Sequence, residues 1–382
     1  MIEPKSEAEL AEAVAAATGP LRVRGGGTRP IGRPVAGEVL STAGLTGIEL
    51  YEPGSLTLVV KAGTPLAEVE AALAAEGQRL PFEPMDYRGL LGTKGEPTIG
   101  GVVAANASGP RRIQAGAARD FLIGVRFVDG TGAVVKNGGR VMKNVTGYDL
   151  VKLMAGSRGT LGVLSEVSFK VLPATATTAV LLIEGLSDAE AIRALSDALV
   201  SPYEVSGAAH TPAGLDGAPV TMIRLEGFDS SVAYRAEALR KRLAGFGEIA
   251  IETRPEHTAA GWKWVRDVEA FHGAPGDVWR FSVKPSNGPT LGARLGAEWL
   301  LYDWGGGLLW ALAPPGTDLR ARMGDIAGHA TLVRASEETR ARIAPFHPEP
   351  APVAALSDGL RRKFDPRGIL NPGLMAGDPV AA

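Results

Sequence analysis

The residues with the clearest chemical potential form a glycine-rich segment near the start of the chain. Positions 21 to 28 read Leu-Arg-Val-Arg-Gly-Gly-Gly-Thr, so a short apolar stretch leads directly into three glycines. Because glycine has no Cβ, its backbone N–H groups can approach a diphosphate closely and its φ can be positive. The segment is compatible with anion binding, and equally with an ordinary turn at the end of a strand. The candidate binding residues are Arg24, Gly25, Gly26, Gly27 and Thr28.

A second segment of the same kind follows about seventy residues later. Positions 98 to 109 read Thr-Ile-Gly-Gly-Val-Val-Ala-Ala-Asn-Ala-Ser-Gly. Its small side chains are typical of backbone that packs against a ligand. One glycine-rich turn is weak evidence, but two segments of similar chemistry favour a site for a flavin dinucleotide. The candidate residues of this second segment are Thr98, Gly100, Gly101, Ser108 and Gly109.

Composition excludes several classes of function. The 382 residues include no cysteine, which excludes an iron–sulfur cluster, a disulfide, a thiolate nucleophile and a cysteinyl flavin link within the chain. Electrons that leave this protein therefore need an external acceptor. The 40 basic and 42 acidic residues give a net charge of −2, which offers no long-range attraction for nucleic acid.

Other common motifs are missing from the sequence. The five histidines are far apart and form no local metal-binding pattern, so we predict no metal site. No Gly-x-Gly-x-x-Gly segment followed by an acidic residue supports a Rossmann site for NAD, and no phosphate loop of the Walker type occurs. Without a basic, apolar leader or a run of about 20 apolar residues, we expect a cytoplasmic protein with no membrane span.

Periodicity predicts three regions, at 1–173, 174–340 and 341–382. The first contains the two glycine-rich segments together with these predicted elements: a helix from Ser6 to about Ala17, strands at 21–24 and 56–61, a helix at 64–77, a hairpin at 121–136, a helix from about 148 and a strand at 163–171. The second has the strand and helix order β-α-β-β-α-β of a ferredoxin-like unit from 177 to 251. A second round of that order is expected from 279 to 333, and the third region contains a helix at 360–364 and a run of turns at 365–373. The fold class is therefore α+β.

Five motifs in this order resemble those of vanillyl-alcohol-oxidase-type FAD proteins, whose flavin domain is also called PCMH-type. They are Arg-Gly-Gly-Gly-Thr at 24–28, Thr-Ile-Gly-Gly at 98–101, Lys-Asn-Val-Thr-Gly-Tyr-Asp at 143–149, Gly-Thr-Leu-Gly-Val at 159–163 and Asp-Pro-Arg-Gly-Ile-Leu-Asn-Pro-Gly at 365–373. The resemblance implies a two-part FAD-binding domain, a ferredoxin-like α+β cap domain over the flavin ring, and a C-terminal tail that returns to the flavin domain.

More narrowly, the chain resembles the FAD-binding subunits of the glycolate oxidase family over nearly its whole length. The motifs are Leu-Pro-Phe-Glu-Pro at 80–84, Gly-Pro-Arg-Arg at 109–112, Val-Met-Lys-Asn-Val at 141–145, Trp-Arg-Phe-Ser at 279–282, Asp-Trp-Gly-Gly at 303–306 and Gly-His-Ala-Thr at 328–331. The resemblance implies oxidation of glycolate to glyoxylate in a complex with a catalytic FAD subunit and an iron–sulfur subunit. It also implies a cytoplasmic location, peripheral at the inner membrane through that complex.

The resemblance also implies which residues contact FAD. Besides the two glycine-rich segments, the backbone of a later turn faces the cofactor, and Pro84 matches a cofactor contact loosely. Asn371 matches a residue that approaches the flavin ring, although an Asx-turn would explain it equally well. Family members with covalent FAD often carry a histidine in the first loop, and none is near Thr28, so we predict noncovalent FAD. The residues added here are Pro84, Gly162, Val163 and Asn371.

Two residues are candidates for substrate chemistry. His329 could accept the hydroxyl proton of a 2-hydroxyacid, although a lone histidine entering a strand is more often structural. Arg280 could hold a carboxylate in a bidentate manner, although a solvated or ion-paired arginine is the more common case. The metal-linked histidine motifs of the catalytic subunits do not occur; only Gly328-His329 is similar to part of one.

Several further residues receive more general interpretations. Trp304, Tyr302 and Trp310 could line the flavin pocket, but an aromatic strand is more often core. The pair Arg111 and Arg112 would by default be a surface charge pair, and Lys143 and Tyr148 have no role that their spacing reveals.

Three functional hypotheses remain open from the sequence. The first is an FAD-binding subunit of a glycolate oxidase complex. The second is a standalone FAD-dependent D-2-hydroxyacid dehydrogenase of the D-lactate type. The third is a non-catalytic assembly subunit that keeps the flavin fold.

Overall fold

The N-terminal region contains two lobes with separate hydrophobic cores. The computed structural model describes residues 1–139, 147–214 and 217–376. In the first lobe, helix α1 (Glu7–Ala16) packs beside two parallel strands, β1 (Leu21–Arg24) and β2 (Glu38–Ser41). Ser6 caps α1 by accepting a hydrogen bond from the Glu9 N–H, as its sequence predicts.

The second lobe is built on a five-stranded antiparallel sheet in the order β3-β4-β8-β6-β7. Its strands are β3 (Ile48–Glu52), β4 (Thr57–Lys61), β6 (Leu122–Val128), β7 (Val134–Gly138) and β8 (Val163–Lys170). A two-stranded ribbon of β5 (Gln78–Arg79) and β9 (Leu172–Pro173) lies at its border. Its helices are α2 (Leu66–Ala75), α3 (Arg88–Leu91), α4 (Ile99–Ala105), α5 (Arg112–Ala115), α6 (Ala118–Phe121) and α7 (Leu150–Met154).

The second glycine-rich segment differs from its prediction as a loop, because its first half forms helix α4. Thr98 is the N-cap, and its Oγ1 accepts a hydrogen bond from the Gly101 N–H at 3.2 Å. Glycine disfavours helix by about 1 kcal/mol per residue, but the cap and the burial of Ile99, Val102 and Val103 outweigh that preference.

The C-terminal half of the chain forms an eight-stranded antiparallel sheet with an internal repeat. The strands are β10 (Thr177–Glu184), β11 (Gly207–Thr211), β12 (Val220–Gly227), β13 (Ile249–Glu252), β14 (Asp277–Val283), β15 (Trp299–Asp303), β16 (Leu308–Ala313) and β17 (Gly328–Arg334). Their order is β13-β10-β12-β11-β15-β16-β14-β17, so each half has the same ferredoxin-like order and the two second strands meet at β11 and β15. The strand order of the predicted second round is therefore confirmed, although only a short 3-10 helix, Arg320–Met323, stands in the place of its second helix.

The two faces of this sheet have different partners. Helices α8 (Asp188–Leu199), α9 (Asp229–Arg242) and α11 (Gly288–Leu295) cover one face. The other face packs against the N-terminal domain and against α10 (Pro255–Asp267), a helix that the sequence analysis did not predict. This second face is called the inner face below.

The C-terminal segment returns to the first lobe, as the fold prediction expected. After α12 (Glu337–Arg342) and α13 (Ala351–Phe364), Ile369 and Leu370 join the core of the first lobe. Leu370 forms a parallel bridge with Leu21, and the Arg367 guanidinium donates to the carbonyls of Val14, Ala15, Ala17 and Gly130. The tail therefore belongs to the packing of the N-terminal domain.

Candidate functional site

A cavity of about 600 Å³ lies where the two glycine-rich segments meet. The turn at 158–164 and the C-terminal tail complete its walls. This volume is in the range of cofactor pockets. Eleven of the predicted binding residues line the cavity: Arg24, Gly25, Gly26, Gly27, Thr28, Thr98, Gly100, Gly101, Gly162, Val163 and Asn371.

The glycines are required by the close approach of one segment to the other. A Cβ on Gly26 would lie 1.5 Å from the carbonyl oxygen of Glu96, and a Cβ on Gly25 would lie 2.5 Å from the Thr98 hydroxyl. Gly27 has φ of +70°, which other residues rarely adopt. A Cβ on Gly100 would lie 2.6 Å from the Ala62 carbonyl oxygen. No larger residue fits these positions without moving the backbone of the cavity wall.

Asn371 joins three parts of the cavity wall. Its side-chain oxygen accepts a hydrogen bond from the Val23 N–H at 2.8 Å, and its side-chain nitrogen donates to the Arg158 carbonyl at 2.8 Å. These partners are distant in sequence, so the side chain forms a long-range link rather than a local Asx-turn. Its expected approach to a flavin ring stays a prediction.

Three predicted cofactor residues lie outside these walls. The Ser108 hydroxyl accepts a hydrogen bond from the Ala118 N–H at 3.0 Å, and Gly109 bonds through its N–H to the Phe82 carbonyl at 2.9 Å. Pro84 is buried. The structure does not bring these residues to the cavity, and their contact with a cofactor stays a prediction.

Trp304 connects the two domains at the edge of the site. The turn from Trp304 through Gly306 has φ values of 51°, 64° and 95°, and the Trp304 indole N–H donates to the Gly109 carbonyl at 3.2 Å. The indole ring lies 4.7 Å from the Arg112 guanidinium carbon and 5.1 Å from that of Arg280. Trp304, Tyr302 and Trp310 are all buried, so the prediction that they belong to the core is confirmed.

Arg280 lies on the inner face of the cap sheet. Its guanidinium carbon is 5.8 Å from the Trp310 ring, and burial lowers its pKa from the ordinary value. Its register partner across the strand pair is Thr331. Among the described residues, no carboxylate forms an ion pair with it, so the common interpretation as an ion-paired arginine does not describe this side chain.

His329 is exposed on β17 and does not line the cavity. It pairs with Ser282, two residues beyond Arg280, and so shares the inner face. Its ring packs edge-on against His347 with centroids 5.5 Å apart. The structure therefore places His329 on the same face of the sheet as Arg280 but outside the cavity wall. Its role as a base stays a prediction.

Asp303 is a buried carboxyl at the end of β15. Burial raises its pKa to about 7, although one oxygen accepts a hydrogen bond from the Trp304 N–H at 2.6 Å. The group thus supports the Trp304 turn and titrates near neutral pH.

An ion-pair network that the sequence analysis missed crosses the domain boundary. Glu83 accepts hydrogen bonds from both terminal nitrogens of Arg224 at 3.0 Å, and Arg111 bridges Glu83 and Glu226. Arg79 also pairs with Glu226 at 3.0 Å. The default of a surface charge pair for Arg111 and Arg112 is wrong, because Arg111 belongs to this interface and Arg112 lies over Trp304. Only the register of the β-strands and the fold bring these charges together, so no local sequence signal reveals the network.

The comparisons with known proteins agree with this arrangement. Residues 1–138 match the family model described as an FAD binding domain. Across 359 residues, the chain is 37% identical to glycolate oxidase subunit GlcE of Escherichia coli (strain K12), covering 93% of this chain and 92% of that protein. The chain belongs to the GlcE family. It is an FAD-type oxidoreductase family, as the sequence analysis predicted.

Two other similarities are weaker, one in the length that it covers and the other in sequence identity. Glycolate oxidase subunit GlcD of Bacillus subtilis is 32% identical over 166 residues, covering 43% of this chain and 34% of that protein. Alkyldihydroxyacetonephosphate synthase has the same fold, with a TM-score of 0.68, 17% identity, and coverage of 97% of this chain and 76% of the synthase chain. The predicted fold class is thus confirmed.

The residues of the cavity fit FAD. The glycine segments leave space for a diphosphate beside Arg24, which also lines the cavity. No histidine lies in the first loop, which fits noncovalent binding.

Within the described ranges, no group of three acidic or histidine residues could hold a metal ion, and no helix is long and apolar enough to cross a bilayer. Lys143 and the motif at 141–145 lie outside the described residues. Tyr148 is exposed, away from the cavity walls.

Proposed function

We propose that this protein is the FAD-binding subunit of a glycolate oxidase complex that oxidises glycolate to glyoxylate. The observation that carries the proposal is the cavity of about 600 Å³ lined by both glycine segments in a chain of the GlcE family. Its partners would be a catalytic FAD subunit and an iron–sulfur subunit. The location would be cytoplasmic, peripheral at the inner membrane through the complex.

The chain's own residues would hold and orient the cofactor. The loop at 24–28 would bind the diphosphate through backbone N–H groups and Arg24, and the turn at Gly162 and Val163 would lie along the flavin ring. Asn371 holds this turn, β1 and the tail in one rigid wall. When bound, FAD supplies an acceptor for two electrons from a hydroxyacid carbon. Because the chain has no cysteine, those electrons would leave to a partner with its own redox centre.

One observation favours the second hypothesis, a standalone D-2-hydroxyacid dehydrogenase. Arg280 of the cap domain faces the flavin-type domain without a carboxylate partner among the described residues. If this chain alone oxidised substrate, Arg280→Ala and His329→Ala would each abolish turnover by the isolated protein. Full activity in both variants would reject that hypothesis.

The test of the subunit proposal is reconstitution. A tagged copy of the chain should co-purify with the two partner subunits, and the complex should reduce an artificial electron acceptor when glycolate is added. A complex carrying Gly26→Asp, which adds a negative charge to the proposed diphosphate loop, should assemble, lack one FAD and lose most of that activity. If it kept full activity after losing the flavin, the chain would be an assembly subunit. If no partners bound, the subunit proposal would be wrong.

A further inference from the structure

Four arginines around the domain boundary lack a carboxylate partner within the described part of the chain. They are Arg29, Arg112, Arg158 and Arg280. Two other arginines near this boundary are satisfied: Arg224 pairs with Glu83, and Arg334 donates to four backbone carbonyls. Burying an unpaired charge is costly. A carboxylate lies near three of these half-buried arginines, at Asp86, Asp120 and Asp303, but outside ion-pair distance. The four guanidiniums therefore leave room for an anion that the protein chain itself does not supply.

The four side chains converge from both domains. Arg29 follows the first glycine loop and Arg158 lies in the turn at 156–162, and both line the cavity. Arg280 comes from β14 of the cap, and Arg112 from α5. Tyr87 and Arg280 both lie close enough to Arg158 to influence its charge, so the groups share one electrostatic environment.

Aromatic rings orient these guanidiniums without neutralising them. Arg29 lies 5.5 Å from the centre of the Tyr87 ring, and Arg158 lies 4.7 Å from that of Phe346. Trp304 has Arg280 and Arg112 near its ring. Cation–π contacts hold an arginine in place, while its N–H donors stay available for a planar anion.

The electrostatic state of the cluster is consistent with an anion site. Burial and neighbouring positive charges lower the pKa of Arg158 to about 10, and burial lowers the pKa values of Arg29 and Arg280. A carboxylate matches the fork of a guanidinium and would relieve both the repulsion and the desolvation.

We propose that Arg158 and Arg280, supported by Arg29 and Tyr87, bind the carboxylate of a small 2-hydroxyacid between the flavin-type and cap domains. Arg112 holds Trp304 beside this site. The inference rests on the proposed function, since it places the substrate class of that function in this chain. It adds that the chain binds such an acid without its partner subunits.

The position of Arg280 favours a carboxylate over the cofactor's own diphosphate. The glycine segments that accommodate a diphosphate belong to the N-terminal domain, whereas Arg280 belongs to the cap and lies outside the walls of the cavity that those segments form. The rings of Trp304 and Phe346 pack against three of the four guanidiniums. A small acid is therefore the ligand that these observations favour.

Isothermal titration of the FAD-loaded full chain with oxalate, a planar acid that cannot be oxidised at a hydroxyl carbon, tests the proposal. We expect saturable binding to the parent protein and a loss of affinity of about tenfold or more in Arg280→Gln and Arg158→Gln. Arg280→Lys, which keeps the charge without the fork, should lose less. Arg193→Gln, which removes an exposed charge from α8, is the matched control and should bind like the parent.

The outcomes separate this inference from the proposed function. FAD content, measured from visible absorbance, must equal the parent's in each variant compared. Equal oxalate affinity in parent and both Gln variants, or no oxalate binding to fully FAD-loaded parent, would overturn the inference and leave the flavin function intact. Oxalate binding that FAD displaces would assign the arginines to the diphosphate and also overturn it. A parent chain that binds no FAD would instead contradict the proposed function.

Discussion

At the scale of single residues, the cavity depends on close packing, because a Cβ on Gly25, Gly26 or Gly100 would lie within 3 Å of a neighbouring atom. The eleven glycine-segment, turn and tail residues that line the cavity were found because their types and order follow a family pattern. Glu83, Arg224 and Glu226 were missed, because each is an ordinary charged residue until the fold brings them together. Arg29 and Arg158 were missed although each is adjacent to a predicted motif. What distinguishes these two arginines is that no described carboxylate forms an ion pair with them. A sequence does not show which charges lie close together in space, so it could not reveal this.

Gly26 tests the cavity wall most directly. In Gly26→Ala the new methyl group would overlap the Glu96 carbonyl, so the two segments must separate. We expect FAD affinity to fall by about tenfold or more, since such overpacking costs about 1–3 kcal/mol. FAD titration followed by visible absorbance measures this. Gly54→Ala is the control, because a Cβ there meets no atom within 4 Å. Equal FAD affinity in the two variants would argue against the assigned cavity.

Asp303 gives a prediction of pH dependence. Its folded-state pKa of about 7 exceeds the ordinary value of 3.8, so between about pH 4 and 7 the folded chain holds a proton that the unfolded chain releases. The free energy of unfolding that this group contributes therefore falls as pH rises through that window. Each unit of pKa difference corresponds to about 1.4 kcal/mol.

The variant Asp303→Asn resembles the protonated acid at every pH. Its stability relative to the parent should therefore be greater at pH 8 than at pH 5. Thermal unfolding at both pH values measures the difference, with the exposed Asp358→Asn as the control. A difference that does not change with pH would show that Asp303 is not the titrating group.

At the scale of elements, periodicity predicted the regular strands and the repeated strand order of the cap domain. It failed where the secondary structure that the residues prefer locally differs from the one that tertiary packing stabilises. Helix α4 contains two consecutive glycines and was predicted as a loop, but Thr98 caps it and three buried apolar residues hold it. Helix α13 begins at Ala351, nine residues before its prediction, and Pro352 lies in its first turn, where proline is tolerated. The limits at 173 and 340 stay a proposal about folding units.

The C-terminal tail should be tested through Asn371. Replacing it with alanine leaves the Val23 N–H without its acceptor in a largely buried position, which costs about 1–3 kcal/mol. Urea unfolding should show that loss in Asn371→Ala. Asn287→Ala, at a position with no side-chain cap bond, should remain close to the parent. If both variants unfolded alike, the tail would not stabilise the first lobe through this side chain.

At the scale of the whole molecule, the site depends on the two domains being held together. The boundary contains an apolar core that includes Ile31, Met85 and Trp304, and the network of Arg111, Arg224, Glu83 and Glu226. The arginine pairs lower the pKa of Glu226 below its usual range, despite burial. The stability it contributes is therefore present above its ordinary pKa and is lost as pH falls well below it.

Breaking the network should destabilise the protein strongly. Glu226→Gln leaves Arg79 and Arg111 without this carboxylate, and removing one partner of a buried pair costs about 3–5 kcal/mol. Thermal unfolding at pH 7 measures the loss, which should shrink in acid. Glu237→Gln, in an exposed pair with Arg240, is the control and should change stability by less than about 1 kcal/mol. A small effect of Glu226→Gln would mean that the apolar core alone joins the domains.

The central claim is that this chain holds FAD and acts with partner subunits in glycolate oxidation. The most direct measurement is an anaerobic visible spectrum of the purified chain, recorded before and after glycolate, without and then with the partner subunits. The account predicts a flavin spectrum in the isolated chain that glycolate bleaches when the partners are present. A chain that shows no flavin after incubation with FAD would contradict the claim, and bleaching at full extent without any partner would establish an autonomous dehydrogenase instead.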